Sequence, residues 1–238
     1  MGGFFGAVSA NDCVLDVFYG TDYHSHLGTR RGGMTSYSAE LGFQRNIHSI
    51  ENSPFRTKFE KDVEKMRGNI CIGCISDTDP QPIMVRSKLG LYAVCSIGII
   101  QNAKALSEEL LESGCANFET MSSGNINSGG LIGALIAQKP TFVEGIRYAQ
   151  SKIEGTMSLV IMTEDSIICA RDRAGKLPIL IGKRSDGYCF SFESFAYQKL
   201  GYETCHELKA GEITCLTKDG YEVLYEGTDK MKICTFLW

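Results

Sequence analysis

The sequence lacks the features that would place it in several broad classes of protein. No apolar run approaches the roughly 18 residues that a membrane-spanning helix requires. The amino terminus has no basic region of the kind that opens a secretory signal peptide. Gly6 stands where an N-myristoylation motif beginning at Gly2 would need Ser or Thr. We therefore expect no membrane segment, no export and no lipid anchor.

Positive charge is not in excess either. The 24 Lys and Arg are outnumbered by 28 Asp and Glu, which gives a net charge of -4. Basic residues cluster only in the short pairs Arg30-Arg31 and Lys183-Arg184, so nucleic-acid binding has no support in the charge pattern. The ten cysteines, without an export signal, are predicted to be reduced thiols of a cytoplasmic protein.

The composition is that of an ordinary globular protein, with 43% hydrophobic and 22% charged residues over 238 positions. This length is enough to bury a large core as a single domain. No repeat, low-complexity segment or internal linker divides the chain.

Helix and strand patterns follow one another in an informative order. Ser53 before Pro54 is a helix start, Asn102 is a second N-cap, and Thr141 with Glu144 forms a capping box. The predicted helices span 12–26, 53–68, 102–114, 131–138 and 141–155. The predicted strands span 4–9, 69–76, 91–100, 156–163, 166–172, 178–183, 188–193, 212–217 and 221–226, with hairpin turns at 163–165, 184–187 and 218–220. Because the later strands have no helices between them, the order favours an α+β sandwich of two antiparallel sheets between helix layers (αββα) over a parallel sheet.

Several motifs in this framework resemble those of one family. MGGFFGAVS is similar to an M-C-G-x-F-G opening, and HLGTRRGGM at 26–34 to a degraded H-R-G-Q-x-x-x-G. GNICIGCISDTDPQP at 68–82 resembles G-x-x-x-x-G-H-x-R-Y-x-T…Q-P. The best matches are at 154–165, 170–182, 191–196 and 208–213. On these motifs nearly the whole chain resembles the N-terminal class II glutamine amidotransferase domain of the glutamine phosphoribosylpyrophosphate amidotransferases.

The resemblance implies an N-terminal-nucleophile hydrolase fold, a homo-oligomer and a role in purine biosynthesis. It also implies a glutamine amidotransferase domain at 1–230. Residues 231–238 would begin a linker strand toward a phosphoribosyltransferase domain that lies outside this chain, in cis or in trans. The apolar end of the chain then suggests a truncation at a domain border. In some members Cys234 would match one ligand of an iron–sulfur cluster, but the other ligands would lie beyond Trp238, so no cofactor is expected in this chain.

The residues that depart from the family pattern are those that would carry its chemistry. The nucleophilic cysteine, activated by its own α-amine, corresponds to Gly2. The arginine that holds the glutamine carboxylate corresponds to Ser76, and the preceding histidine to Cys74. His26 stands in the degraded histidine motif. No residue is therefore predicted to be catalytic.

Two further departures concern the transition state and the substrate amine. The Asn-Gly pair that stabilises the oxyanion corresponds to Ile97 and Gly98, and loss of one such donor typically costs about 2.7–4 kcal/mol. The acidic residue that receives the α-amine corresponds to Ser123.

Three hypotheses follow from this pattern. The first is an amidophosphoribosyltransferase-like pseudoenzyme domain, inactive as a glutaminase, that acts as a scaffold or regulator of a phosphoribosyltransferase. The second is an active amidotransferase in which Cys13, Cys74 or Cys95 replaces the nucleophile. The third is a sensor module whose vestigial pocket binds another small molecule.

No metal site is expected. Cys71 and Cys74 form a CxxC pair, but residues at this spacing in a strand point to opposite faces. His24 and His26 diverge on a helix, so a core hydrogen bond or a favourable helix-end charge is the simpler role for them.

Overall fold

The computed structural model describes residues 2–114, 118 and 126–232, which form two stacked antiparallel sheets between two layers of helices. The predicted α+β class and αββα sandwich are confirmed. The strands are β1 (Gly2–Ser9), β2 (Arg31–Ser38), β3 (Gly42–Ser49), β4 (Ile70–Ser76), β5 (Ile83–Ser87), β6 (Gly90–Ile100), β7 (Gly155–Met162), β8 (Ile167–Ala170), β9 (Leu180–Arg184), β10 (Gly187–Ser191), β11 (Glu203–Glu207), β12 (Ile213–Leu216) and β13 (Tyr221–Tyr225). The helices are α1 (Val14–Asp22), α2 (Phe55–Val63), α3 (Ala103–Glu112), α4 (Ser128–Ala137), α5 (Phe142–Lys152) and α6 (Ser194–Gln198), with a 3₁₀ turn at Ser25–Leu27.

The two sheets differ in size and both are antiparallel throughout the described residues. The seven-stranded sheet has the order β11-β9-β10-β1-β4-β2-β3, and the six-stranded sheet has the order β13-β12-β8-β7-β6-β5. The three predicted hairpin turns join β7 to β8, β9 to β10 and β12 to β13. Strand β1 lies between β10 and β4, so its backbone is paired on both edges.

Three hydrophobic layers hold the sandwich together. Phe4, from β1, lies in the layer between the two sheets. Phe5, its neighbour in the chain, packs on the other side of β1 against α1, α2 and α6. Helices α3, α4 and α5 cover the six-stranded sheet through residues such as Ile132 and Ile146. Since β1 is covered on both faces, its apolar residues form a continuous run and do not alternate with polar ones.

Some boundaries differ from the sequence prediction for local reasons. Helix α4 begins at Ser128 and not at 131, because the Asn127 side chain caps it by accepting from the N–H groups of Gly129 and Gly130. The long helix predicted at 12–26 ends at Asp22 and is followed by the short 3₁₀ turn. Strands β2, β3, β5 and β11 were not predicted, because their polar residues hide the strand pattern, and neither was α6.

The cysteine pair in β4 behaves as its spacing predicts. Cys71 lies in the layer under the helices and Cys74 in the layer between the sheets, so they occupy opposite faces. Within the described ranges, no group of three or more His, Cys, Asp or Glu side chains could hold a metal ion. The eight cysteines of these ranges are free thiols, and no described helix is long and apolar enough to cross a membrane.

His24 is buried beneath β1 and makes the core hydrogen bonds expected of it. Its Nδ1 donates to the Gly20 carbonyl at 2.7 Å, and its Nε2 lies 3.1 Å from the Ser191 hydroxyl. Burial is the main cause that lowers the pKa of His24 to about 4. The folded protein therefore keeps this imidazole neutral at a pH where the unfolded chain protonates it.

We expect this histidine to make the protein less stable in mild acid. Below the unfolded pKa of about 6.5 the unfolded chain binds more protons, so the free energy of unfolding falls by at most about 1.4 kcal/mol per pH unit from this group. The loss continues until the pH reaches about 4. The free energy of unfolding, measured with urea between pH 7.5 and 4.5, should depend less steeply on pH in His24→Gln than in the wild-type protein. An unchanged slope would contradict this, and His26→Gln, at an exposed position, serves as the control.

Candidate functional site

A cavity of about 220 Å³ opens between the two sheets, where the start of β1 faces the end of β6. Gly2, Ser76, Ile97 and Gly98 all line it. Four positions that the sequence analysis linked to glutamine chemistry, from three separate segments, thus come together at one site. Their role as a vestigial glutamine pocket stays a prediction.

The other predicted positions do not contribute to this cavity in the described structure. Cys74 is buried between the sheets beside Cys95, whose thiol pKa is raised by burial and by the hydrogen bond with Cys74. The 3₁₀ turn directs His26 toward the surface over the helix layer, where its Nε2 lies 3.0 Å from Glu193 Oε2. Ser123 lies outside the described residues.

Position 2 has no room for a side chain. Gly2 is paired with Ser76 of β4, and a Cβ built on it would lie 2.4 Å from the Ile75 carbonyl oxygen. That oxygen belongs to the backbone of a central strand, so it cannot move aside as a flexible side chain could. A side chain at position 2 would therefore require the backbone of β1 or β4 to shift.

Ser76 is occupied with shaping a turn. Its hydroxyl accepts hydrogen bonds from the backbone N–H groups of Thr78 and Asp79, each at 3.2 Å. The turn presents Asp77 to the Thr29 N–H at 2.7 Å. Burial would raise the pKa of Asp77, but hydrogen bonds including those from the Thr29 and Arg30 N–H groups hold it below its ordinary value. Asp77 itself lies outside the cavity lining, next to Ser76, the position where the resemblance implies an arginine.

Asp79 is a charged residue of the cavity wall that the sequence analysis did not single out. It is 4% exposed and lines the cavity. Its Oδ2 accepts a hydrogen bond from the Ser128 N–H at the start of α4, at 3.2 Å. The available signal was its position in the 68–82 motif, where the family pattern has threonine.

The rest of the cavity wall is largely apolar. Ile97 presents a hydrocarbon side chain where an amide donor was expected, and Ile99 is 70% exposed on the open side. Gly98 has a φ of +151°, and a Cβ there would lie 2.0 Å from the Thr156 carbonyl oxygen. Strands β6 and β7 therefore approach closely here, which requires glycine.

A buried amide links the two sheets beside the cavity. Gln81 is 2% exposed; its Nε2 donates to the Ser96 carbonyl at 3.0 Å and its Oε1 accepts from the Ser96 N–H at 2.6 Å. On the other side a Cβ at Gly33 would lie 1.7 Å from the Gln81 carbonyl oxygen, and the Asn127 side chain donates to Pro80 at 3.1 Å. The loop between β4 and β5 is thus fixed by both sheets and by α4.

No described cysteine lines the cavity. Cys13 lies on the helix side of the seven-stranded sheet, where its thiol donates to the Ala7 carbonyl at 3.5 Å. Cys13, Cys74 and Cys95, the three thiols considered as replacement nucleophiles, are therefore not part of the described cavity wall.

This architecture, with a site built at the start of a central first strand between two stacked sheets, is that of an N-terminal-nucleophile hydrolase fold. Residues 66–198 match the family model described as a glutamine amidotransferase domain, and the chain belongs to that family. More closely, it is an amidophosphoribosyltransferase-like glutamine amidotransferase domain.

Curated relatives support this placement. The chain is 25% identical to an amidophosphoribosyltransferase of Synechocystis sp., over 98% of this chain and 49% of the relative. It is 32% identical to an amidophosphoribosyltransferase of Staphylococcus epidermidis, over 84% of this chain and 38% of the relative. The chain thus spans about half the length, or less, of these relatives.

Solved structures agree on the fold. The glutamine phosphoribosylpyrophosphate amidotransferase of Bacillus subtilis, solved with ADP and GMP, superposes with a TM-score of 0.84 at 23% identity. The match covers 98% of this chain and 51% of that one. At this identity the likeness concerns the fold alone.

We predict that the fold around the cavity depends on the Gln81 amide. Gln81→Ala leaves a buried N–H and a buried C=O of Ser96 unpaired, at about 1–3 kcal/mol each, so the free energy of unfolding should fall by roughly 2–6 kcal/mol. Urea unfolding measures this change. The control is Gln138→Ala at the end of α4, where only a weak 3.4 Å contact to Ala134 is lost. Equal effects of the two variants would refute the prediction.

Proposed function

We propose that this domain does not hydrolyse glutamine and that it serves as a scaffold or regulator of a phosphoribosyltransferase. The observation that carries this proposal is the clearance at Gly2, where the Ile75 carbonyl oxygen occupies the space of a Cβ. Attack on the glutamine amide needs a thiol or hydroxyl at this strand end, in line with the substrate carbonyl. A glycine in a closed strand pair supplies neither.

The charges around the cavity support the same conclusion. Glutamine carries a carboxylate that its binding site must neutralise, and arginine is the usual partner because its guanidinium pairs in a bidentate manner. Here the Ser76 hydroxyl accepts hydrogen bonds within a turn. Among the described residues, the only charged group that lines the cavity is the carboxylate of Asp79. Like charges would oppose glutamine binding in this orientation.

The alternative of a rearranged nucleophile finds no support in the geometry. The thiols of Cys74 and Cys95 are hydrogen-bonded to each other between the sheets, and burial raises the pKa of the Cys95 thiol well above its ordinary value. A thiol that resists ionisation is a poor nucleophile. Cys13 is separated from the cavity by the thickness of the sheet.

The partner is proposed from the length comparison. The relatives that match this chain are about twice as long and are named amidophosphoribosyltransferases. We propose that the domain acts beside or fused to a phosphoribosyltransferase domain, in a cytoplasmic homo-oligomer of purine biosynthesis. Such an assembly would take its nitrogen from free ammonia, whereas the names of its relatives indicate transfer from an amide.

We expect no glutamate release from glutamine above a no-protein control. Gly2→Cys should not restore activity, because the added Cβ meets the Ile75 carbonyl and no carboxylate clamp is present. Glutamate is measured with a coupled dehydrogenase, and an electrophilic glutamine analogue reports any reactive cysteine by mass spectrometry. An active amidotransferase of the family is the positive control. Glutamate production, or a label lost in one Cys→Ala variant, would contradict the proposal.

The partner is tested separately by sequencing the transcript past the codon for Trp238. A fused partner predicts an open frame that reaches two acidic residues followed by a short Gly-Thr turn, the pattern of a phosphoribosylpyrophosphate-binding loop. Ammonia-dependent activity is then assayed on the full chain. A stop codon would exclude the fused form, and failure to isolate any phosphoribosyltransferase with the protein would exclude the separate one.

A further inference from the structure

The cavity between the sheets combines an apolar wall with a single described charge. Ile132, Leu177 and Phe192 contribute hydrocarbon surface. The polar residues of the lining are serines and threonines, apart from the Asp79 carboxylate. This distribution resembles a ligand pocket, where an apolar surface supplies contact area and a few polar groups fix orientation.

Asp79 is 4% exposed, and its carboxylate accepts one hydrogen bond among the described residues. Its Oδ2 accepts one N–H, from Ser128, and among the described residues no group donates to its Oδ1. A carboxylate has about four acceptor positions, so Oδ1 of Asp79 is open to water or to a donor that enters the cavity. No described Lys, Arg or His lines the cavity to supply a cation.

Asp79 is not needed to start α4. Asn127 already caps this helix, with its Oδ1 2.9 Å from the Gly129 N–H and 3.3 Å from the Gly130 N–H. A neutral cap of this kind satisfies the free N–H groups at a helix start. The negative charge at Asp79 therefore exceeds what the helix requires.

We infer that this cavity binds a small organic ammonium ion with a compact apolar body and no carboxylate. The ammonium group would donate to Oδ1 of Asp79, and the apolar body would contact Ile132, Leu177 and Phe192. Charge-assisted hydrogen bonds of this type are about twice as strong as neutral ones. A carboxylate on the ligand would meet Asp79 with no cation to balance it.

The cavity volume limits the size of the ligand. An engineered apolar cavity of about 150 Å³ accepts benzene, so a volume of about 220 Å³ corresponds to roughly nine non-hydrogen atoms. A monoamine with one ring or a short branched chain satisfies this limit.

The inference deepens the proposed function, on which it rests, because it assigns a ligand to the pocket that glutamine chemistry has left. The two fail separately. Glutamate release by the protein would overturn the proposed function, whereas the inference depends on the difference in affinity between an amine and its neutral analogue.

The test compares three probes on the natural full-length protein by calorimetric titration. The probes are 2-phenylethylamine, the neutral 2-phenylethanol and the anionic phenylacetate. We expect the amine to bind about 10- to 100-fold more tightly than the alcohol, as a hydrogen bond to a charged group would give, and phenylacetate to bind more weakly than either. Equal affinity for amine and alcohol, or no amine binding up to about 10 mM, would overturn the inference.

Two variants locate the effect. Asp79→Asn keeps an acceptor for the Ser128 N–H but removes the charge, so the preference for amine over alcohol should fall to within about threefold. Asp77→Asn removes the same charge two positions away, outside the cavity lining, and should retain the preference. A preference that survives Asp79→Asn, or that is lost equally in both variants, would refute the assignment.

Ile99→Lys keeps the test decisive if Asp79→Asn fails to fold. Ile99 is 70% exposed and lines the open side of the cavity, so a lysine there should not disturb the core. The added cation should weaken binding of the amine and leave binding of the alcohol unchanged. An amine affinity unaffected by this cation would count against an electrostatic role for the cavity.

Discussion

The hydrogen-bonded pair between the Gln81 side chain and the Ser96 backbone is the interaction on which the site depends. Strand β5 pairs with β6 as far as Ile83, which lies opposite Val94. Pro82, the residue before Ile83, is the next position along this strand pair, and it has no N–H to donate. In the same register Gln81 lies opposite Ser96, and its side-chain amide supplies the donor and the acceptor that a strand backbone would have offered. The residues that follow Ser96 are thereby held against the start of β1.

Close backbone approaches then determine what this meeting point can do. The start of β1 pairs so tightly with β4 that Gly2 admits no Cβ, and β6 approaches β7 so closely that Gly98 admits none. A catalytic site needs side chains projecting into free space, whereas these two positions are filled by carbonyl oxygens of neighbouring strands. The strands thus meet at the site, but their backbones leave no room for a side chain at either position.

The sequence predicted those parts of the fold whose pattern is set locally. Strands such as β6 and β7 are recognisable because both faces are buried, which produces long apolar runs. The hairpin of β2 and β3 escaped prediction because polar residues such as Gln44 and Asn46 interrupt the pattern. In the site, matched motifs identified Gly2 and Ser76 without indicating that they share a cavity. Asp79 could not be found in this way, because its burial beside the cavity depends on α4, whose first residue, Ser128, lies 49 residues further along the chain.

The position of Asp79 also explains how a carboxylate with no cationic partner among the described residues can persist in a folded protein. The N-terminus of α4 lies beside it, and the positive end of the helix dipole offsets part of the cost of removing negative charge from water. That offset is partial, since a helix end carries only about half an elementary charge, and one N–H donor does not fill a carboxylate. The described cavity lining contains no Lys, Arg or His, and this absence of a counter-charge is the reason for proposing a cationic ligand.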